Sequence, residues 1–95
     1  MEQYEIMVIV DPESDESQLT AVVDRITGIV DGAGGEVAKV DRWGRRKLAY
    51  EIDRKSEGSY LVIAFRSGGD ALKELDRVLS LADPVMRFKV VRKAA

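Results

Sequence analysis

Arginine and lysine side chains form two clusters along the chain and are the groups best suited to bind a charged partner. The first cluster is Arg42, Arg45, Arg46 and Lys47 around Trp43-Gly44, and the second is Arg87, Lys89, Arg92 and Lys93. Guanidinium and ammonium groups at such positions hold RNA phosphates. Charged side chains also protect strand edges from pairing, and each cluster taken alone is better explained in that way.

Catalytic groups are sparse. Histidine and cysteine are absent, which removes the commonest general base and excludes disulfides and thiolate metal sites. Glu13, Asp15 and Glu16 form a carboxylate cluster, but it precedes a predicted helix, where the helix dipole favours negative charge. The glycines near residues 32–35 follow a helix rather than a strand, and Gly68-Gly69 is followed by no Lys-Ser/Thr, so neither is a phosphate loop. We therefore expect no enzymatic activity, no cofactor or metal, and no small-molecule substrate.

The length and the charge of the chain limit the number of domains and the kinds of partner that it can bind. A chain of 95 residues fits one domain, residues 1–95, and 45% apolar with 34% charged residues is typical of a soluble globular protein. The net charge of −2 argues against nucleic-acid binding. However, Arg25 and Lys39 are the only basic residues from Glu2 to Asp41, whereas basic residues outnumber acidic ones from Arg42 to Lys93. This asymmetry suggests a polarised surface, although charge alone favours a mixed, solvated one.

Membrane and export signals are not seen in the sequence. No apolar run approaches the ~20 residues that a membrane-spanning helix needs. The N-terminal residues lack the basic and then apolar layout of a signal peptide. We expect a cytoplasmic protein that does not contact membranes.

Apolar periodicity predicts four strands and two helices. Tyr4–Val10 and Ser59–Arg66 are apolar on both faces, which is typical of central strands. Apolar residues three and four apart predict a helix from Leu19 to Val30, with Asp15 and Gln18 as its capping box. A strand with a bulge is predicted over Glu36–Arg42, followed by an interruption at Trp43-Gly44 and an extended stretch over Lys47–Ile52. A turn is predicted over Asp53–Gly58 and a last strand over Val85–Arg92. Between them lies a second helix, whose apolar stripe is Leu72, Leu75, Val78, Leu79 and Ala82.

The order of these elements, β-α-β-β-α-β, is that of the ferredoxin-like α+β fold. This fold has a four-stranded antiparallel sheet with both helices on one face and the first and third strands in the centre. Those are the two strands that read as apolar on both sides.

Helices on one face leave the other face of the sheet open. The pattern places Met7, Ile9, Tyr60, Val62 and Val91 on that open face, beside Glu5, Arg87 and Lys89. An apolar patch with a charged rim indicates an interaction surface. Tyr60 is the one aromatic residue expected there, so protein binding is favoured over stacking of RNA bases. Trp43 is expected to be a core anchor at a bend. Ordinary sheet apolarity, partly covered by C-terminal residues, is the alternative explanation.

The chain resembles the bacterial small-subunit ribosomal protein six (S-six) family. The resemblance rests on Trp43-Gly44-Arg45-Arg46-Lys47-Leu48-Ala49-Tyr50-Glu51-Ile52, with support from Tyr4-Glu5, Gly34-Gly35, Gly58-x-Tyr60 and Asp83-x-Val85-x-Arg87. It covers essentially the whole chain and implies the same ferredoxin-like fold.

This resemblance implies a structural role in the small ribosomal subunit. Members pair with small-subunit ribosomal protein eighteen and, with it, bind the central domain of 16S rRNA. Carried over to this chain, Arg87, Lys89 and Arg92 are the first choice for RNA contact, with Lys93 beside them, and Arg45 and Arg46 are the second. Leu48, Ala49 and Tyr50 are expected to pack in the fold. Asp53 and Glu2 depart from commonly basic positions, which weakens RNA contact at both.

Two other functions remain open on the sequence alone. One is a ligand-sensing regulatory domain that dimerises through its sheet, which would need a pocket with converging polar groups. The other is a small acyl-transfer or phosphate-hydrolysing enzyme of the same fold. The absence of histidine, cysteine and a phosphate loop argues against the second.

Overall fold

The predicted order of strands and helices is confirmed by the structure, a computed structural model that describes residues 1–93. The elements are β1 (Glu2–Val10), α1 (Glu16–Gly32), β2 (Glu36–Ile52), β3 (Lys55–Ser67), α2 (Gly69–Leu81) and β4 (Val85–Arg92). The four strands form one antiparallel sheet in the order β2-β3-β1-β4. The two strands with apolar residues on both sides, β1 and β3, are therefore the central ones, as predicted.

The core lies between the helices and one face of the sheet. Ile6 pairs with Ile63 on β3 and with Val90 on β4, so one row of the sheet offers three aliphatic side chains to the helices. The fully or nearly fully buried residues of this core are Tyr4, Ile6, Val8, Val10, Val22, Ile26, Val30, Leu61, Ile63, Phe65, Leu75 and Leu79. At about 25 cal/mol per Å² of apolar surface, burial of this layer is the main term that stabilises the fold.

Helix α1 begins at the predicted capping box. The Asp15 carboxylate accepts a hydrogen bond from the Gln18 amide at 2.9 Å, and the Gln18 side chain accepts one from the Asp15 amide at 3.0 Å. This reciprocal pair satisfies two backbone donors at the start of α1. In α2 the buried residues are Ala71, Leu75 and Leu79. Ala71 was missed in the predicted stripe because alanine is a weak apolar signal, and Leu72 is only partly buried.

The predicted interruption of the second strand at Trp43-Gly44 is wrong. β2 runs without a break over 17 residues, and its pairing with β3 has three register irregularities. The register steps from Val37 to Lys39, from Arg42 to Gly44, and again between Lys47 and Ile52. The first of these confirms the predicted bulge. In the second, Trp43 is the extra residue, and Gly44 has the positive φ of 80° that glycine tolerates.

The predicted turn over Asp53–Gly58 is too long. Ile52 already pairs with Lys55, so Asp53 and Arg54 alone form the connection. Both have positive φ, 50° and 67°, as in a two-residue type I′ hairpin. Polar residues 55–58 resemble a loop in the sequence, yet they continue the ladder at the exposed end of the sheet. No helix within residues 1–93 is long and apolar enough to cross a membrane.

Candidate interaction face of the sheet

The face of the sheet opposite the helices carries the predicted apolar patch. Because side chains alternate along a strand, residues paired across the ladder share a face. Met7 on β1 pairs with Val62 on β3 and Lys89 on β4. Ile9 pairs in the same way with Tyr60 and Arg87. We call this surface the open face, and its rows bring together residues that lie more than fifty positions apart in the chain.

The members of the patch differ in exposure. Val91 is exposed, and Met7, Ile9 and Tyr60 are half-buried. Val62 is only 6% exposed, so it supports the patch from below rather than offering contact area. The predicted face is confirmed in its position, and its accessible part is formed by the other four residues.

One further buried side chain supports the end of the open face. Leu48 is buried, although it does not belong to the main core. A Cβ atom at Gly58 would lie 3.6 Å from Leu48 Cδ2 and in steric conflict with Ile9 Cγ2. Leu48 therefore reaches the sheet beside Ile9 across a position where only glycine fits. The expectation that Leu48 packs in the fold is confirmed, whereas Ala49 and Tyr50 are exposed.

Trp43 lies on the open face rather than in the core, so the expectation of a core anchor is wrong. Its side chain is 45% exposed. The indole ring stands 6.3 Å from the Tyr60 ring, centroid to centroid, with only 6° between the two planes. The Arg46 guanidinium lies over the indole at 5.0 Å. Tyr60 is thus not the sole aromatic residue of the face. The bulge, which the sequence pattern did not place, turns Trp43 to this side.

The basic residues of the second cluster are divided between the two faces of the sheet. Arg87 and Lys89 alternate with the partly buried Phe88 and Val90 and lie on the open face, as does Lys93. Arg92 pairs with the core residue Tyr4, so its Cβ starts on the helix side, and its guanidinium lies 3.1 Å from Glu2. Alternation in the strand separates residues that are adjacent in the sequence.

The first basic cluster is divided in the same way. Arg46 is on the open face with Trp43. Arg42 and Arg45 lie on the helix side: Arg42 binds Glu16 and the Thr20 hydroxyl of α1, and Arg45 donates to the Pro12 carbonyl at 2.8 Å. These two arginines attach the edge strand to the start of α1, a structural role that the sequence did not reveal.

Ion pairs within the open face leave a defined group of cations without partners. Its three carboxylates are each engaged by a neighbouring basic residue, in the pairs Asp41–Lys39 at 3.5 Å, Glu36–Arg66 at 3.7 Å and Glu5–Lys93 at 3.7 Å. Within residues 1–93, Arg46, Arg87 and Lys89 have no carboxylate at ion-pair distance. Arg87 donates only to the Met86 carbonyl, at 3.2 Å. These three cations surround the patch of Met7, Ile9, Tyr60 and Trp43.

The carboxylate cluster at the start of α1 has a structural explanation. Hydrogen bonds from the Gln18 amide and the Ser17 hydroxyl hold the pKa of Asp15 below its usual value. Glu16 pairs with Arg42, and Glu13 pairs with Lys55 at 3.5 Å. Each carboxylate therefore has a local partner, and the lowered pKa of Asp15 is the opposite of what general-acid catalysis requires.

A groove of about 470 Å³ lies at the far end of the open face, beside Ala64. The charged groups around it include Lys39, Arg66 and Lys93, and all three are engaged in the ion pairs described above. Polar groups that converge on a ligand are the mark of a small-molecule site. None of these three charged groups is free to bind a ligand, so the groove gives the regulatory-domain alternative no support.

Comparisons with known proteins agree with one another. A family model described as ribosomal protein S6 matches residues 3–92. The small ribosomal subunit protein bS6 of Leifsonia xyli is 52% identical over 92 residues, covering 97% of this chain and 72% of that protein. The bS6 protein of Carboxydothermus hydrogenoformans is 42% identical and covers 98% of this chain and 97% of its own length.

Solved structures show the same likeness. The crystal structure of 30S ribosomal protein S6 from Thermotoga maritima superimposes with a TM-score of 0.88 at 35% identity, covering 97% of this chain and 87% of that chain. The C-terminal domain of the MgtC protein from Mycobacterium tuberculosis aligns with a TM-score of 0.65 at 15% identity over 98% of this chain and 88% of that one, which shows a shared fold alone.

Proposed function

Since the chain belongs to the ribosomal protein S6 family, a non-enzymatic structural family of the small ribosomal subunit, we propose that it acts as one domain that binds the central domain of 16S rRNA together with small-subunit ribosomal protein eighteen. The observation that carries this proposal is the open face, where three basic side chains without carboxylate partners surround an exposed apolar patch. Phosphates and an apolar protein surface are the two kinds of partner that such a face can hold.

The rRNA contacts are assigned first to Arg87 and Lys89. Both are exposed on the edge strand β4, and neither has an ion pair to give up within the described chain. Binding of a phosphate there releases counterions from the RNA without breaking an ion pair of the protein. These two residues are therefore expected to contribute most of the affinity for RNA that this chain supplies.

The other RNA candidates are already engaged in the free protein. Arg45 donates to Pro12 and lies 4.0 Å from Glu57, Arg92 pairs with Glu2, and Lys93 pairs with Glu5. Exposed ion pairs contribute only about 0–1 kcal/mol, so a phosphate can replace the carboxylate at small cost. We assign Arg45, Arg92 and Lys93 a weaker role, and we assign Arg46 to the protein side of the face.

The protein partner, ribosomal protein eighteen, is assigned to the apolar part of the open face. Met7, Ile9, Tyr60 and Val91 supply exposed area there, with Val62 beneath them. The patch lies next to Arg87 and Lys89 in the same rows of the sheet. One protein and one RNA segment bound side by side would then contact each other, so the two are expected to bind cooperatively.

The proposal is tested by measuring the affinity for a central-domain rRNA fragment with and without ribosomal protein eighteen. We expect tight binding only with both proteins, and a loss of about tenfold for Arg87→Ala, because one phosphate contact is removed. Lys73→Ala is the matched control, since it removes the same charge from an exposed position on α2, away from the open face. Failure of the two proteins together to bind the fragment would refute the proposal, and equal losses for the two variants would refute the assignment of Arg87.

A further inference from the structure

Trp43 is an exposed indole held in a fixed position at the edge of the open face. Its backbone belongs to a bulge of β2, its ring lies nearly parallel to that of Tyr60, and the Arg46 guanidinium covers one side. The centroid separation of 6.3 Å exceeds the spacing of two rings in direct face-to-face contact, so the two rings are laterally offset. The two parallel rings and the guanidinium form one aromatic cluster, which we call the Trp43 shelf (Trp43, Tyr60 and Arg46).

We infer that the Trp43 shelf is the anchor of the protein interface, where most of the binding energy for ribosomal protein eighteen is concentrated. The inference rests on the proposed function, which supplies the partner, and adds a residue that the predicted patch did not contain. Tryptophan, tyrosine and arginine are the residue types most enriched among those that dominate protein-protein binding energy. Here the three stand in contact beside the half-buried aliphatic residues of the patch.

Preorganisation is the first argument for this role. The ordering of a flexible side chain at an interface has an entropic cost that reduces affinity. Contacts with Tyr60 and Arg46 already restrict the indole in the free protein. A partner that covers the shelf therefore gains the area of a large aromatic ring with little further loss of side-chain freedom.

The surroundings of the shelf favour a protein over an RNA base. A stacked base needs a free ring face, and the Arg46 guanidinium already lies over one face of the indole. The neighbours toward the centre of the sheet are Ile9 and Met7, whose aliphatic side chains match apolar side chains better than flat bases. The free phosphate-binding cations, Arg87 and Lys89, lie on β4, at the opposite edge of the sheet from Trp43.

Charge complementarity defines the partner segment further. Arg46 has no carboxylate at ion-pair distance within the described chain, and a cation left beside apolar surface is favoured by an anionic group nearby. The segment that covers the shelf is therefore one in which an apolar or aromatic side chain lies beside a glutamate or aspartate. The apolar group packs on Trp43 and Tyr60, and the carboxylate pairs with Arg46.

The inference is tested by calorimetric titration of the chain with purified ribosomal protein eighteen in the absence of RNA. Trp43→Ala is expected to weaken the protein-protein complex about 30-fold or more, and Arg46→Glu about tenfold or more through repulsion of the partner's carboxylate. Tyr50→Ala is the control, because Tyr50 is an aromatic residue of the same strand that is 69% exposed and has no part in the shelf. Its affinity should stay within about twofold of wild type. Circular dichroism confirms that each variant is folded.

A direct readout comes from Trp43 itself, which is the only tryptophan in the chain. With 5-fluorotryptophan incorporated, its ¹⁹F resonance should shift when ribosomal protein eighteen is added. The rRNA fragment alone should leave it in place.

The outcomes separate the inference from the proposed function. Full affinity of Trp43→Ala for ribosomal protein eighteen overturns the inference and leaves the proposed function standing. If Trp43→Ala keeps its affinity for ribosomal protein eighteen but binds rRNA more weakly, the shelf contacts an RNA base, and the inference is also overturned. A Trp43-dependent dimer of the chain alone, seen by sedimentation, overturns it in favour of a second copy. Absence of any wild-type complex, with or without rRNA, overturns both.

Discussion

At the scale of single residues, two glycines are required for steric reasons that the sequence does not display. A Cβ atom at Gly35 would conflict with the carbonyl oxygen of Arg66 and lie 2.9 Å from Ser67 Cβ. Gly58 would meet the Cγ2 of Ile9 in the same way. Neither has a positive φ, so close approach of chains, not backbone conformation, excludes a side chain at both positions. These contacts join residues distant in the sequence, which is why local pattern cannot anticipate them.

Gly35→Ala is expected to destabilise the fold. The obstructing atom is a backbone carbonyl in the central strand β3, which cannot move without disturbing the ladder, and overpacking of this kind costs roughly 1–3 kcal/mol. Thermal unfolding should show a midpoint lower by several degrees.

Gly28→Ala provides the matched comparison for Gly35→Ala. Gly28 lies inside α1 with nothing within 4 Å of the added Cβ, so the same change should stabilise the protein by about 0.5–1 kcal/mol. Equal effects of the two substitutions would contradict the steric account.

At the scale of elements, the part of the structure that sequence predicts best is the part with strong apolar periodicity. β1, β3 and both helices bury residues at regular spacing, and their type and order follow from that spacing. β2 is an edge strand that is exposed over most of its length, so almost no apolar alternation marks its phase. For this reason the sequence pattern does not predict the second bulge of β2. It therefore also does not predict on which side of the sheet Trp43 lies.

The same limit applied to the candidate site. The pairing of Met7, Ile9, Tyr60 and Val62 follows from alternation in two central strands, and the open face was placed correctly. The members of each basic cluster are close in sequence, which suggests that they act together. Alternation then puts Arg45 and Arg46 on opposite faces, and the engagement of Arg45 by the Pro12 carbonyl depends on tertiary contact.

The β2–β3 hairpin carries a strained residue at the second position of its turn. Arg54 has a φ of 67°, where residues with a Cβ atom lose about 1 kcal/mol, while glycine is favoured at this place in type I′ turns. Arg54→Gly should therefore stabilise the protein, by up to about 1 kcal/mol, despite the greater freedom of glycine in the unfolded chain.

The measurement is the midpoint of urea unfolding, with Arg77→Gly inside α2 as the comparison. In that helix the change from arginine to glycine should destabilise the protein, because glycine is unfavourable in a helix interior. If Arg54→Gly lowered the midpoint as well, the turn would not be strained in the way described.

At the scale of the whole molecule, the net charge of −2 conceals a separation of charge. On the open face, basic residues outnumber acidic ones, in the set Lys39, Arg46, Arg66, Arg87, Lys89 and Lys93 against Glu5, Glu36 and Asp41. The acidic excess of the chain therefore lies elsewhere, including the exposed surface of α1 and the β1–α1 loop. At physiological ionic strength, charges more than about 8 Å apart are largely screened, so RNA would respond to the open face rather than to the total.

Removal of both free cations of β4 is therefore expected to change the salt dependence of rRNA binding. In complexes with ribosomal protein eighteen, the slope of log affinity against log salt concentration should become shallower by about 1.4–1.8 in the Arg87→Ala/Lys89→Ala double variant, since each phosphate contact contributes about 0.7–0.9. Affinities measured across a series of salt concentrations give this slope. An Arg25→Ala/Lys73→Ala variant, altered on the helices, should keep the wild-type slope. An equal change of slope in the two double variants would mean that the total charge of the protein governs binding.

The pairing of β1 with β4 also has a mechanical consequence. Glu2 and Arg92 lie 3.1 Å apart at their charged groups, and the Lys93 amide donates to the Gln3 carbonyl at 2.9 Å, so the first and last strands meet at one corner of the sheet. Force applied between residues 2 and 93 would load the β1–β4 ladder from that corner, one hydrogen bond after another. The strands would peel apart as a zipper does, rather than resist together in shear. The fold would then yield at low force when pulled from these two points.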